Sequence, residues 1–234
     1  MPDLTFRNLA SSSKGNAYLV SDGETVLLLE CGLPYKKLAE KSGFTLMDTT
    51  ACFVTHEHKD HCLAAPQLAK RGVPVYMSEG TARAMELWDA EIIECGSPVT
   101  VGALRVMAFP VVHDAAQPVG YLIDDTRTEE RLIFAADTRG LSYIVPKLTH
   151  IAVECNYEES LLQRSERIPD SLKERIRHSH FEIDDVIRWL KKQDLSKVLT
   201  VYLLHLSAAN SRVGAWQARF TREFPGIDFV VCAE

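Results

Sequence analysis

The chain has 234 residues, of which 46% are hydrophobic and 25% are charged, a composition that excludes disordered, collagen-like and coiled-coil classes. Its 26 Lys and Arg residues against 32 Asp and Glu residues give a formal net charge of −6. That balance disfavours a broad basic surface for polyanions, although a local anion site stays possible.

No apolar run approaches the roughly 18–20 residues that a membrane-spanning helix needs, and the first residues do not resemble a signal peptide. We therefore expect a cytoplasmic protein without membrane association. The six cysteines include no Cys-x-x-Cys pair, so we expect reduced thiols that lie mostly in the core.

Apolar and β-branched runs predict strands at 17–20, 26–29, 52–55, 73–77, 104–109, 119–123, 132–136, 151–154, 198–204 and 229–231. Helical spacing predicts helices at 34–41, 63–70, 80–87, 183–192 and 214–224. Early strands follow one another closely, whereas helices separate the later ones. This order favours an α/β (α+β) fold, a four-layer αββα sandwich, as a single domain over residues 1–234. A doubly wound Rossmann sheet is disfavoured because no Gly-x-Gly-x-x-Gly motif follows the first strand.

The segment Thr55-His56-Glu57-His58-Lys59-Asp60-His61 joins a predicted strand to a predicted helix. In an extended backbone, residues two apart point the same way, so His56 and His58 can converge on one ion. Asp60 and His61 can address a second ion where the chain turns into the helix. Imidazole and carboxylate ligands suit Zn²⁺ or Mn²⁺, and the lack of thiolates argues against a closed structural zinc site. The alternative is a polar loop whose histidines only cap the helix.

Further ligand candidates, His113, Asp137 and His205, each lie where a predicted strand stops. Side chains at such positions converge on a shared sheet edge. We expect two divalent metal ions per chain, the first bound by His56, His58 and His113, the second by Asp60, His61 and His205, and both bridged by Asp137.

The His-x-His-x-Asp-His motif resembles that of the metallo-β-lactamase superfamily, whose fold is the αββα sandwich. Together with segments 11–18, 112–118, 136–140, 154–156 and 204–207, it is similar to the YycJ/WalJ-like phosphodiesterases, relatives of RNase Z. This resemblance implies a nuclease, acting at DNA ends. The chain departs from the family at Glu30-Cys31-Gly32, where Asp-x-Gly is usual, and at Tyr157, where a histidine is expected.

Phosphodiester hydrolysis needs an activated water, which two divalent ions can supply, and a proton for the leaving alkoxide. His180 is the candidate acid, because related nucleases pair a histidine at this point with a glutamate, here Glu154. The predicted catalytic residues are therefore Asp60, His180 and Glu154.

Candidate substrate contacts are Ser13, Asn16, Arg164, Arg167, Arg177 and Asn210. The arginines belong to a locally cationic stretch, 163–177, which equally fits a solvated amphipathic helix. Ser13 and Asn16 lie in a small-residue loop that could hold an anion or simply pass close to the metals, and Asn210 could belong to a helix cap.

The leading functional hypothesis is a di-metal phosphodiesterase for nucleic acid, with a DNA end as the partner and a homodimer possible. Alternatives are a phosphodiesterase for small or cyclic nucleotides, a hydrolase of thioesters, lactones or lactams, and a metal-binding module without activity. The Glu154–His180 pair argues against thioester or lactone hydrolysis, because those leaving groups need less protonation.

Overall fold

The computed structural model describes residues 3–207 and 210–232, which fall into two compact units. Unit 1 comprises residues 3–110 and 115–130. Unit 2 comprises residues 111–114, 131–207 and 210–232.

Unit 1 contains a six-stranded sheet in the order β1 to β6. Its strands are β1 (Thr5–Ser12), β2 (Gly15–Ser21), β3 (Val26–Leu29), β4 (Ala51–Phe53), β5 (Val75–Met77) and β6 (Glu91–Ile92). Tight turns make the first three strands antiparallel, whereas the crossovers from β3 onward give parallel pairs.

Short helices form these crossovers: α1 (Tyr35–Lys41), α2 (Lys59–Cys62), α3 (Ala65–Ala69) and α4 (Glu79–Ala84), with a 3₁₀ turn at Thr45–Asp48. Leu38 of α1 and Leu68 of α3 are buried in the same hydrophobic cluster as Leu28 and Val75 of the sheet. The predicted helix 63–70 corresponds to α3 alone, and α2 lies before it as a separate helix. Pro66 lies in the first turn of α3 and has no N–H for the Cys62 carbonyl, which ends α2.

A second set of strands in unit 1 is antiparallel: β7 (Val99–Val101), β8 (Leu104–Pro110) and β9 (Val119–Asp125). Tyr121 of β9 is fully buried, packs edge-on against Phe53 and donates a hydrogen bond to the Val54 carbonyl at 2.5 Å. This contact fixes the backbone just before the His-x-His segment.

Unit 2 contains four parallel strands in the order β13-β12-β11-β10. They are β10 (Arg131–Ala135), β11 (His150–Glu154), β12 (Thr200–Leu204) and β13 (Asp228–Val231). The helices are α5 (Glu159–Arg164), α6 (Asp170–Ser179), α7 (Ile183–Leu190) and α8 (Val213–Glu223). Helix α7 buries Ile183, Val186, Ile187 and Leu190, as helical spacing predicts.

Every predicted strand and helix overlaps an observed element. The prediction missed β1, β6 and β7, because the first is rich in polar residues and the others have only two or three residues. It also missed the short helices α2 and α5, whereas α6 overlaps the stretch 163–177 for which an amphipathic helix was one of two interpretations. No helix among the described residues is long and apolar enough to cross a membrane.

Gly32 lies against the backbone of the His-x-His-x-Asp-His motif in unit 1. Its N–H donates to the Asn16 carbonyl at 2.9 Å, and the neighbouring Cys31 N–H donates to the His61 carbonyl at 2.7 Å. A Cβ atom at Gly32 would lie 1.7 Å from the Asp60 carbonyl oxygen. Only glycine therefore permits this close approach.

We expect Gly32→Ala to lower the free energy of unfolding by about 3 kcal/mol or more, because a backbone atom cannot yield as a side chain can. Chemical denaturation measures the change. Gly214→Ala is the matched control, since open space surrounds that position in the first turn of α8. It should be neutral or stabilise the protein by up to about 1 kcal/mol. Equal midpoints for Gly32→Ala and the parent chain would contradict the close contact.

Candidate metal centre

The histidines of unit 1 lie on the segment that follows β4. The chain bends at Glu57, His58 is extended, and α2 then begins at Lys59. His56 and His61 are buried. His56 Nε2 lies 3.1 Å from His58 Nδ1, and the ring centroids of His56 and His61 are 4.2 Å apart. Three imidazoles therefore converge within this short segment.

Nearby side chains contact the ring nitrogens of His56 and His61. Thr55 Oγ1 lies 2.9 Å from His56 Nδ1. Asn16 Nδ2 donates to the Asp60 carbonyl at 3.1 Å and lies 3.2 Å from His61 Nε2. Asp60 Oδ2 is 3.6 Å from the same His61 nitrogen. Such outer contacts fix the orientation of a ligand imidazole.

Glu30 occupies the position where the family usually has aspartate. Its side chain is fully buried, and Oε1 lies 3.5 Å from His61 Nδ1. Burial raises the pKa of the Glu30 carboxyl, and the neighbouring His61 opposes that shift. Glu30 also has a φ of 61°, a left-handed conformation that is rare outside glycine. The longer carboxylate thus reaches the histidine from a strained backbone position.

In unit 2, three parallel strands end at chemically active residues. Asp137 follows β10, Glu154 ends β11 and His205 follows β12. The register pairs Ala135 with Val153 and Glu154 with Leu204, which brings these three residues to one edge. Ligand sites of open α/β sheets lie at this carboxyl edge.

The side chains at this edge form a compact cluster. Ligand atoms of Asp137, Glu154, His180 and His205 all lie within 4.8 Å of one another. His205 Nδ1 is 2.5 Å from Asp137 Oδ1 and 3.3 Å from Glu154 Oε1. His180 Nδ1 is 2.5 Å from Glu154 Oε1. The predicted Glu154–His180 pair is therefore in direct contact.

The backbone at His205 is also unusual, with a φ of 51°. Asn156 Nδ2 donates to the His205 carbonyl at 2.8 Å, and the Ser207 N–H donates to the Asn156 carbonyl at 2.9 Å. These bonds hold the strained turn. Strain at a buried polar residue is typical of functional sites, where surrounding contacts compensate for it.

His113 is positioned by the end of α6. Its Nδ1 donates to the Ser179 carbonyl at 2.9 Å, while Nε2 lies 3.6 Å from Asp137 Oδ2 and 3.3 Å from Asp114 Oδ1. Arg175 in turn pairs with Asp114 at 2.7 Å. Since Ser179 immediately precedes His180, one helix end positions both histidines.

The electrostatics of the unit 2 histidines differ. Burial lowers the pKa of His205, but the Asp137 and Glu154 carboxylates outweigh it and raise the pKa to about 10. Burial likewise lowers the pKa of His180, yet Glu154 leaves it above the ordinary value. For His113 burial dominates, and its pKa is lowered.

The donor sets of both units suit divalent metal ions. All the candidate ligands are imidazole nitrogens or carboxylate oxygens, and the converging distances above are short enough for shared coordination. Five of the six cysteines are buried and all six are free. None of them belongs to the clusters of candidate ligand atoms found among the described residues.

The predicted substrate contacts have varied surroundings. Ser13, Arg164 and Arg167 are exposed, whereas Asn16 and Asn210 are buried. Arg177 pairs with Glu159 at 2.7 Å and with Glu174 at 3.4 Å. Asn210 Nδ2 donates to Ser207 Oγ at 3.1 Å.

Sequence reasoning missed two contacts of this site. Thr55 directly precedes His56, so its position could have suggested a contact with the ring. The Ser179 carbonyl left no signal, because any residue offers a carbonyl at that position.

The chain is similar to a known domain family and to two named bacterial proteins. A β-lactamase superfamily domain profile matches residues 33–205. The exodeoxyribonuclease YycJ of Bacillus anthracis is 31% identical over 89% of this chain and 84% of its own length. The exodeoxyribonuclease WalJ of Streptococcus pneumoniae is 28% identical over 87% of this chain and 81% of its own.

The crystal structure of YhfI from Bacillus subtilis, a metallo-β-lactamase fold protein, superposes with a TM-score of 0.72 at 14% identity. The match covers 98% of this chain and 96% of YhfI. The predicted fold class, the metallo-β-lactamase αββα sandwich, is confirmed. The chain therefore belongs to the β-lactamase superfamily, among its metal-dependent hydrolases of metallo-β-lactamase fold, as the domain profile and the YycJ and WalJ relatives show.

Proposed function

We propose that this protein is a di-metal phosphodiesterase that cleaves phosphodiester bonds of DNA, acting at strand ends. The contact between Glu154 and His180 beside the ligand cluster of unit 2 carries the proposal. The names of the YycJ and WalJ relatives, both exodeoxyribonucleases, support DNA as the substrate and the strand end as the point of attack.

The proposed ligands are the seven residues of the sequence motif: His56, His58 and His113 for one ion, Asp60, His61 and His205 for the other, and Asp137 for both. Zn²⁺ and Mn²⁺ both suit this nitrogen and oxygen donor set. When bound, two such ions lower the pKa of a water molecule and stabilise charge on a phosphoryl group.

His180 is proposed to protonate the leaving oxygen. Its Nδ1 faces the Glu154 carboxylate, which fixes the ring and directs Nε2 away from that carboxylate. Glu154 is itself held, because its Oε2 accepts hydrogen bonds from the Thr138 N–H at 2.8 Å and the Phe181 N–H at 3.3 Å. The Glu154 carboxylate raises the pKa of His180 above its ordinary value, which favours the protonated ring that a general acid needs.

A phosphodiesterase for small or cyclic nucleotides is the second candidate. Ion pairs along α6 favour it, because Arg175 pairs with Asp114 and Arg177 with Glu159. Arginines held in this way offer less charge to a long polynucleotide. With a net charge of −6, the protein would grip substrate only locally.

Substrate choice can be tested by incubating the metal-loaded protein with end-labelled duplex DNA, single-stranded DNA, RNA and cyclic mononucleotides. We expect duplex DNA to be shortened from an end. Asp137→Asn, which removes the proposed bridging charge, should abolish cleavage. Turnover of a thioester or lactone with no cleavage of any phosphodiester would contradict the proposal, whereas cleavage of cyclic nucleotides alone would select the second candidate.

The role of His180 can be tested with His180→Ala. Because a general acid matters only for a poor leaving group, we expect DNA cleavage to fall by about 10²–10⁴ while hydrolysis of an activated nitrophenyl diester is unchanged. Glu154→Gln should lower the pKa of His180 and move the alkaline limb of the pH–rate profile to lower pH. His178→Ala, on the exposed surface of α6, is the control. Equal losses on both substrates would remove His180 as the acid.

A further inference from the structure

Unit 1 contains a pocket of about 200 Å³ that is lined by three lysines. Lys37 and Lys41 lie four residues apart, on one face of α1, and Lys14 belongs to the turn between β1 and β2. The rest of the lining is Ala10, Ser12, Gly15 and Leu33. The lining therefore combines three cations and one hydroxyl with no carboxylate.

This concentration of positive charge contrasts with the net charge of −6. Among the described residues, no ion pair involves Lys37 or Lys41. Arg7 adds a further cation nearby, since its guanidinium donates to the Lys41 carbonyl at 2.9 Å. Charges of one sign that line a concave surface raise the local concentration of the opposite ion. The pocket is thus suited to an anion.

A second cationic pocket, in unit 2, differs in this respect. It is lined by Arg139, Arg188 and Lys192, but Asp185 shares the lining and pairs with Arg188. Part of its positive charge is therefore neutralised within the pocket, which makes it the weaker candidate.

The lysine pocket adjoins the metal-ligand motif of unit 1. Ser12 and Gly15 line the pocket, and Asn16, the next residue, contacts both Asp60 and His61. Asn16 also ties the turn together, since its Oδ1 accepts from the Ser12 N–H at 3.1 Å. Gly15 is favoured here, because a Cβ would lie 2.7 Å from the Gly32 carbonyl oxygen, a backbone atom. The turn therefore connects the pocket to the motif.

The volume of the pocket limits the size of the group that can bind in it. Sites that enclose a whole small molecule have volumes of roughly 300–1,000 Å³, larger than this pocket. A volume of about 200 Å³ suits one charged group of a larger molecule. Lysine ammonium groups bind phosphate as point charges and impose little geometry on it.

We propose that the pocket of Lys14, Lys37 and Lys41 binds a phosphate group of the polynucleotide substrate, distinct from the phosphate that is cleaved. The idea rests on the proposed function, since it places the substrate backbone beside the motif. The phosphate is either a terminal monophosphate or an internal diester, and the two share the same chemistry.

The test measures binding of a labelled duplex with phosphorothioate linkages, which resists cleavage, to the metal-loaded protein by fluorescence anisotropy at several salt concentrations. We expect Lys37→Ala/Lys41→Ala to weaken binding about tenfold or more and to lower the salt slope by about one. Lys36→Ala/Lys70→Ala is the charge-matched control, because neither of these exposed lysines lines the pocket. Lys37→Arg/Lys41→Arg should retain binding.

Duplexes with a 5′-phosphate or a 5′-hydroxyl distinguish the two sources. If the alanine variant loses affinity only for the 5′-phosphate duplex, the pocket binds a terminal phosphate. If it loses affinity for both duplexes, the pocket binds an internal diester. Equal affinity and salt slope for the alanine pair and its charge-matched control would overturn the proposal. If the pocket variant binds weakly but the parent protein cleaves no polynucleotide, the phosphate site stands and the proposed nuclease activity falls.

Discussion

The histidines of the candidate metal centre can bind a metal ion only when each ring is held in one orientation. Oxygen atoms contact a nitrogen of three of these rings: Thr55 Oγ1 lies beside His56 Nδ1, Glu30 Oε1 beside His61 Nδ1 and the Ser179 carbonyl oxygen beside His113 Nδ1. These contacts set the ring orientations, and the Ser179 carbonyl, which can only accept a hydrogen bond, also selects the tautomer of His113. In each unit, the strands and their connecting segments bring these oxygen atoms and rings to the strand ends.

This requirement accounts for two of the six non-glycine residues that adopt positive φ among the described residues. Glu30 and His205 both adopt positive φ, and both are buried beside a histidine or a carboxylate of the site. Hydrogen bonds compensate in each case, from the Glu30 N–H to the Phe53 carbonyl at 2.9 Å and from Asn156 to the His205 carbonyl. Gly32 meets the same demand differently, by allowing the chain to lie directly against Asp60. The site is therefore built from backbone placement as much as from side-chain identity.

The sequence predicted the parts of this design that depend on local pattern. Apolar runs located the strands that end at Asp137, Glu154 and His205, and alternation predicted that His56 and His58 converge. It could not predict the contact of Ser179 with His113, which joins a helix end to a distant segment through a backbone carbonyl. Nor could spacing show that Arg175 and Arg177 of the cationic stretch are engaged by Asp114 and Glu159. Long-range partners of this kind are decided by tertiary packing.

We propose that these histidines and carboxylates hold two divalent ions in place of protons. Because the Asp137 and Glu154 carboxylates raise the pKa of His205 to about 10, the metal-free ring is protonated at neutral pH, and a bound metal must displace that proton. Calorimetric titration of the metal-free protein with Zn²⁺ or Mn²⁺, in buffers of different ionisation enthalpy, measures stoichiometry and proton release together. We expect two ions per chain with net proton release at pH 7. Absence of saturable binding, or binding without proton release, would contradict this proposal.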